Sequence, residues 1–460
     1  MIPELFLRRM SRTLGTAYPD FLRALSRPRA VGLRLNTLKV PADFVQKLPF
    51  GFAPDGFLPF TDGLPEAERK KLLSGAAMPQ VPWAPTGYYY DPATRPGLHA
   101  FHDAGAYYLQ EPSAMLPAEL ADVRPGMTVL DLCAAPGGKT TQLAAKLRGE
   151  GLLIANELVP QRARILARNV ERCGIANCIV LNEHPARLLP RFAGYFDRIV
   201  VDAPCSGEGM FRKEDAAATD WSPETVEMCA GRQREILRTA VQMLKPGGRL
   251  VYSTCTFSEE ENEKTVAACL AEHPELRLIS QQRILPHEQL GEGHFAAVVQ
   301  KTDGAPDESD SPGKPNKPAE AETAALRFAD DEGLSLPSRR LISFGATVWS
   351  APKTMPELNG LRVLRCGLEL GELRGKLFFP AHAWALWLKA APNEVSFAAD
   401  GAEISAYLHG GTVADAHTGW VLLKADGLSV GWTKGSGGIL KNHYPKGLRR
   451  IAAEERRPMP

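Results

Sequence analysis

Val129-Leu-Asp-Leu-Cys-Ala-Ala-Pro-Gly-Gly-Lys-Thr140 reads as a buried strand, a glycine-rich turn and the start of a helix. The same grammar recurs downstream. Short apolar runs at 128–132, 152–155, 178–181, 198–201 and 249–253 alternate with helix-patterned stretches at 139–147, 160–173 and 224–244. Strands apolar on both faces and separated by helices indicate a mostly parallel sheet covered on each side. The expectation is an α/β fold with a doubly wound Rossmann-like core over 99–301, to which 294–299 adds a late strand.

The turn itself points to a ligand. Asp131 ends the first strand, and the glycines let backbone approach a bound molecule while the helix start offers free N–H groups. Glu157 ends the second strand, where an acid can accept hydrogen bonds from ribose hydroxyls. The spacing is neither G-x-G-x-x-G nor that of a phosphate loop. One carboxylate site at a helix tip and one ribose acid suit S-adenosyl-L-methionine.

Two cysteines lie beyond the loop. Cys205 stands in Val200-Val-Asp-Ala-Pro-Cys-Ser-Gly-Glu-Gly209, and Cys255 in Leu250-Val-Tyr-Ser-Thr-Cys-Thr-Phe-Ser258. Both follow apolar runs that end at one sheet edge. Carbon 5 of a pyrimidine is a poor nucleophile; a thiolate added at C6 turns it into an enamine carbon that can attack a sulfonium methyl. Such chemistry needs a thiolate, an acid near N3/N4 and a base, and Asp202 lies beside Cys205. Ser258 and Glu261 have capping-box spacing, and a helix starting there would favour a Cys255 thiolate, with Glu259, Glu260 and Glu261 acting against it. Pro204 stiffens the other turn, and Gly207 and Gly209 leave room for a base. In DNA cytosine methyltransferases the nucleophile follows a proline, which points to Cys205; Cys255 in Ser-Thr-Cys-Thr is the alternative.

These segments resemble the Nol/Nop/Sun RNA (cytosine-5)-methyltransferases, and most closely their bacterial 16S ribosomal RNA methyltransferase F type. The likeness is carried by Leu33-Arg-Leu-Asn-Thr-Leu-Lys39, Gly105-Ala-Tyr-Tyr-Leu-Gln-Glu-Pro-Ser113, the 131–140 loop, residues 202–213, Lys245-Pro-Gly-Gly248, Ser253-Thr-Cys-Thr256 and Gly291-Glu-Gly-His-Phe295. It continues more weakly through 361–386 and Lys441-Asn-His-Tyr-Pro-Lys446. The resemblance implies Cys255 as nucleophile, Cys205 in product release, and Asp202 binding and protonating the base. It implies that Cys133, Ala134, Ala135, Pro136, Gly137, Gly138 and Lys139 hold S-adenosyl-L-methionine together with Glu157 and Asp202. Many members have an aspartate near the adenine where this chain reads Leu181-Asn-Glu-His184, so Asn182 or Glu183 is expected to substitute.

The product would be 5-methylcytosine in RNA, with 16S rRNA or the small ribosomal subunit as partner. A tRNA methyltransferase is the alternative, and a non-catalytic RNA-binding assembly factor a further one, against which the intact Cys255, Cys205 and Asp202 speak.

The rest of the chain fits a several-domain protein. At 460 residues it exceeds one ordinary domain. No apolar run approaches a membrane span and the N-terminus lacks a secretory h-region. Eight cysteines do not make a disulfide scaffold, and Cys173 with Cys178 lacks the partners of a zinc site. A cytoplasmic location is expected, with no membrane and no obligatory protein partner. Net charge is only +1, but residues 1–40 hold eight Lys/Arg against two acids and 431–460 hold seven against two, as basic ends gripping a polyanion would. Residues 302–325 read as a flexible linker. Residues 1–98 read as a small RNA-recognition-like α+β segment, with a strand at 31–38 and a helix after Pro41. Residues 326–460 read as a mainly β, PUA-like RNA-binding region. Tyr107 and Tyr108 are candidates for stacking on RNA, Arg34 and Lys39 for phosphate contact, and His409, Trp432 and His443 for an RNA face.

Overall fold

A computed structural model of the chain describes residues 2–53, 55–73, 77–302 and 319–451. The apolar runs form the centre of an eight-stranded sheet. Its spatial order is Val363–Cys366, Cys178–Leu181, Leu152–Asn156, Thr128–Asp131, Phe196–Asp202, Leu244–Thr254, His294–Lys301 and Leu276–Ile284. The middle five run parallel, and the outer three join antiparallel. Alternate side chains feed two cores, as strand geometry requires. Leu130, Ile154 and Ile199 pack with Leu188, Phe192, Leu237 and Val241 on one face. On the other, Val129, Leu153 and Val200 pack with Leu143, Leu166 and Val170. The result is a mixed α/β fold with a Rossmann-like sheet.

Two features depart from the linear reading. The strand Val363–Cys366, from the region read as a separate C-terminal module, is the edge strand of this central sheet. The helix Glu320–Asp331 occupies the end of the stretch read as linker, while 303–318 lie outside the described residues. The apolar face of that helix, with Ala321, Ala325 and Ala329, packs against Leu368, Leu370 and Trp384.

The N-terminal strand is Gly32–Leu35, central in a three-stranded sheet with Gly87–Tyr89 and Tyr107–Leu109. That sheet straddles residue 98, so the segment has no clean boundary there. The turn after Pro41 is 3-10 helical over Ala42–Lys47. The C-terminal part builds a four-stranded sheet over 341–380 and a five-stranded sheet over 394–442. Leu33, Phe44, Phe50 and Tyr107 share one core with Tyr407, Leu423 and Val430, so the first and last parts of the chain pack together. Among the described residues no helix is long and apolar enough to cross a membrane, and no group of three His, Cys, Asp or Glu is placed to hold a metal ion. The C-terminal basic excess falls on Lys434, Lys441, Lys446, Arg449 and Arg450, all within the described residues.

Candidate active site

Parallel register brings the chemistry to one edge. Asp131 lies opposite Val200, and Asp202 opposite Ser253, so Asp131, Glu157, Asp202, Cys205 and Cys255 all stand at or just past strand carboxyl ends. In open α/β sheets this is where ligands bind.

The two thiols meet: Cys205 Sγ and Cys255 Sγ are 3.3 Å apart. The hydrogen bond to Cys255 and then burial hold the Cys205 thiol well above its ordinary range, so Cys205 keeps its proton at neutral pH. Their loops are locked by buried carboxylates. Glu261 accepts from the Ser206 N–H at 2.9 Å, from the Ser206 hydroxyl and from Gln233 Nε2 at 2.9 Å. Glu208 accepts from the Phe257 N–H at 2.8 Å and from Trp221 Nε1 at 3.0 Å. The Ser258–Glu261 capping box is therefore absent. Glu261 points inward to the Cys205 loop, and the following helix, Glu263–Glu272, starts later, after Asn262. Gly209 does not open space for a base either. A Cβ there would sit 2.8 Å from the Cys255 carbonyl oxygen and 3.1 Å from that of Gly293, so glycine permits the two loops to interlock.

Asp202 is paired. Its Oδ2 lies 2.7 Å from Lys139 Nζ, and its Oδ1 accepts from Ser253 Oγ at 2.9 Å. Burial pushes this carboxyl up, but Lys139 and Ser253 outweigh it and hold it below the usual range. Asp202 is thus a carboxylate that accepts from Lys139 and Ser253 when no base is bound.

The loop from Cys133 to Lys139 turns into the helix Gly138–Leu147 beside these groups. Gly137 has φ +113°, a left-handed conformation that glycine tolerates. Ala134 N–H donates to Asn156, Ala135 accepts from Arg162, and Pro136 accepts from Asn169. Cys133, half-buried, has its thiol pushed up by burial and by Asp131 and Glu157. Buried Glu157 accepts from the Val159 N–H at 2.9 Å. Asp131 is fully buried; Thr140 donates to its Oδ2 at 2.7 Å, while Oδ1 has no partner, and burial pushes the carboxyl up to about 7. Buried Glu157 at the end of its strand and the N–H groups at the start of the Gly138–Leu147 helix fit the ribose hydroxyls and the carboxylate of S-adenosyl-L-methionine.

The expected adenosine contacts are engaged elsewhere. Asn182 Nδ2 donates to the Glu157 and Leu158 carbonyls at 2.7 and 2.9 Å. Glu183 Oε1 accepts from the Arg362 N–H at 2.9 Å, and its Oε2 pairs with Arg187 at 3.0 Å. Both residues tie this strand end to Arg362, the residue before the Val363–Cys366 strand.

Several candidates for RNA contact are internal supports. Arg34 is 1% exposed and donates to Gln110, to the Gly138 carbonyl and to Thr141, bracing the cofactor helix. Lys39 donates to the Ala104 and Arg172 carbonyls. Tyr107 and Tyr108 are buried, the former donating to Pro96 and the latter under Arg172. Trp432 is buried and donates to Ala381, and His443 packs on Trp420, whereas His409 is exposed. His294, first residue of the late strand and given no role from sequence, also stands at the site, with its Nε2 3.7 Å from Asp202 Oδ1. Its signal was a titratable side chain opening a strand that pairs with the Ser-Thr-Cys strand.

Comparison with known proteins covers most of the chain. Residues 118–303 match the family described as 16S rRNA methyltransferase RsmB/F. Residues 63–112 match the N-terminal domain of 16S rRNA methyltransferase RsmF, 327–388 its first C-terminal domain, and 394–450 its PUA domain. Ribosomal RNA small subunit methyltransferase F of Cronobacter sakazakii is 32% identical, covering 98% of this chain and 96% of the relative. The protein of the same name from Aeromonas salmonicida is 30% identical, over 98% and 97%. Among solved structures, a methyltransferase homolog protein from Pyrococcus horikoshii is 27% identical, covering 65% of this chain and 95% of that one with a TM-score of 0.53.

Proposed function

Because this chain belongs to the family of ribosomal RNA small subunit methyltransferase F, we propose that it transfers a methyl group to C5 of cytosine in RNA, with 16S rRNA as substrate and the cytoplasm as its place of action. The observation that carries this reading is the pair of thiols 3.3 Å apart beside the Lys139–Asp202 ion pair.

The residues divide the work. A target base in a duplex must leave its stack to reach this edge. Asp202, as a carboxylate, accepts from the exocyclic N4 amino group, and Lys139 supplies the proton that N3 needs as the ring is attacked. Cys255 Sγ adds to C6, its electron pair passing through the ring to make C5 nucleophilic. Cys133–Lys139 and Glu157 hold S-adenosyl-L-methionine, which when bound supplies the methyl. A water at the sheet edge takes the C5 proton, N3 returns its proton to Lys139, the C6–S bond breaks with its electron pair passing to Cys255, and Cys205 assists that release. Glu208 and Glu261 fix the loops so that the two sulfurs keep their spacing. The modules on either side of the core grip structured RNA through shape and phosphate contacts.

Mapping 5-methylcytosine in total RNA from cells with and without the protein tests the assignment. A site in 16S rRNA that disappears with the protein supports it. Loss confined to tRNA, or no loss, contradicts it.

A further inference from the structure

His294 is 3% exposed, its Nε2 has no hydrogen-bond partner, and that atom faces Asp202 Oδ1 at 3.7 Å. A buried N–H without a partner is costly, so a fold that keeps one at a reaction centre needs a reason. The placement is tightly determined. Phe295 pairs with Thr254 in the neighbouring strand, which puts His294 beside the Cys255 turn. Gly293 before it has φ +120°, and a Cβ there would strike the Phe257 ring at 2.4 Å, so the backbone leading into His294 has no freedom.

A carboxylate offers about four lone-pair positions. Lys139 takes one on Oδ2 and Ser253 one on Oδ1. The target base needs another, and His294 Nε2 faces Oδ1. Nε2 is wholly buried, so it reaches a base only through Asp202.

We propose that His294 is a positioning residue for methyl transfer: its Nε2–H closes onto Asp202 Oδ1 as the base engages the carboxylate, holding that carboxylate against the N3/N4 edge. This rests on the cytosine reading above. Burial pushes His294 down to about 3, with Lys139 acting the same way, so the imidazole is neutral and adds no second charge beside Lys139.

The test uses the full-length protein, transcribed 16S rRNA and methyl-labelled S-adenosyl-L-methionine, with His294→Gln, His294→Asn and His294→Leu. A glutamine amide nitrogen reaches the place of Nε2; an asparagine amide reaches only that of Nδ1. His294→Gln keeps kcat within about threefold of wild type, while His294→Asn and His294→Leu lose roughly tenfold, the worth of one such hydrogen bond, with KM for the methyl donor unchanged. Independently of turnover, carbon-13 NMR of the Asp202 carboxyl in the RNA-bound protein gives a higher pKa in the Asn and Leu variants than in wild type and Gln. Wild-type kcat in His294→Leu, or equal losses in the Gln and Asn variants, overturns the proposal; if His294→Leu does not fold, the Gln–Asn comparison decides. Nucleoside analysis of the wild-type product separates the two claims: methyl on another base or atom removes the cytosine reading, while the Gln–Asn ratio and the Asp202 titration still judge His294.

Discussion

The Gly209 N–H donates to the Cys255 carbonyl at 2.8 Å, joining the loop that carries one thiol to the loop that carries the other. The contact exists because position 209 has no side chain, and it fixes where both sulfurs sit.

Gly209→Ala therefore pushes Cys255 away from Cys205. Overpacking of this kind costs about 1–3 kcal/mol of stability. The account expects a far larger fall in kcat than in affinity for S-adenosyl-L-methionine, since a Cβ at 209 meets Cys255, Glu292 and Gly293 and not the 133–139 loop. Steady-state kinetics with calorimetric cofactor binding checks this; undiminished kcat contradicts it.

Acid weakens the fold through His294. The unfolded chain takes up its proton near pH 6.5, whereas the folded protein keeps the ring neutral, with a pKa of about 3. The unfolded state binds more protons between those values, so this contribution to stability is lost as pH falls from about 6.5 toward 3. Between pH 7 and 5 it amounts to roughly 2 kcal/mol. Lys139 and Asp202 are the charged groups that face the ring, one opposing its protonation and one favouring it. Urea denaturation of wild type and His294→Leu at pH 7 and pH 5 should show their difference shrinking at pH 5; a constant or growing difference contradicts it.

The C-terminal region is not dispensable for the core. Ending the chain at residue 325 removes the Val363–Cys366 edge strand, the Arg362 N–H that holds Glu183, and the Arg365 Nη1–Glu171 pair at 2.7 Å. It also strips apolar cover from Leu33, Phe44 and Tyr107. A 1–325 fragment is expected to lose both thermal stability and cofactor affinity relative to the full chain. Full-length affinity for S-adenosyl-L-methionine in that fragment, by calorimetry, would show the edge strand to be irrelevant.

The central strands were legible because strands buried on both faces are continuous apolar runs, and a run that ends in Asp131, Asp202 or Ser253 announces the sheet edge. The thiols were legible for the same reason. What stayed hidden depended on long-range contacts. Nothing near Val363 says that it pairs with Leu181, 182 positions earlier in the chain. Arg34 and Lys39 read as phosphate ligands because a cation in sequence carries no sign of being buried against carbonyl oxygens. Ser258 and Glu261 have the spacing of a cap, but Ser206 and Gln233, more than twenty positions away, draw the carboxylate inward. His294 mattered only once its strand was laid beside the Cys255 turn.

The most direct measurement identifies the sulfur bonded to RNA. Cys205→Ala, incubated with 16S rRNA and S-adenosyl-L-methionine, should accumulate a denaturation-resistant protein–RNA adduct, and peptide mass spectrometry should place the nucleotide on Cys255; Cys255→Ala should give neither adduct nor product. An adduct trapped by Cys255→Ala and mapped to Cys205 would reverse the two roles, and undiminished methylation by a variant lacking both thiols would contradict covalent catalysis altogether.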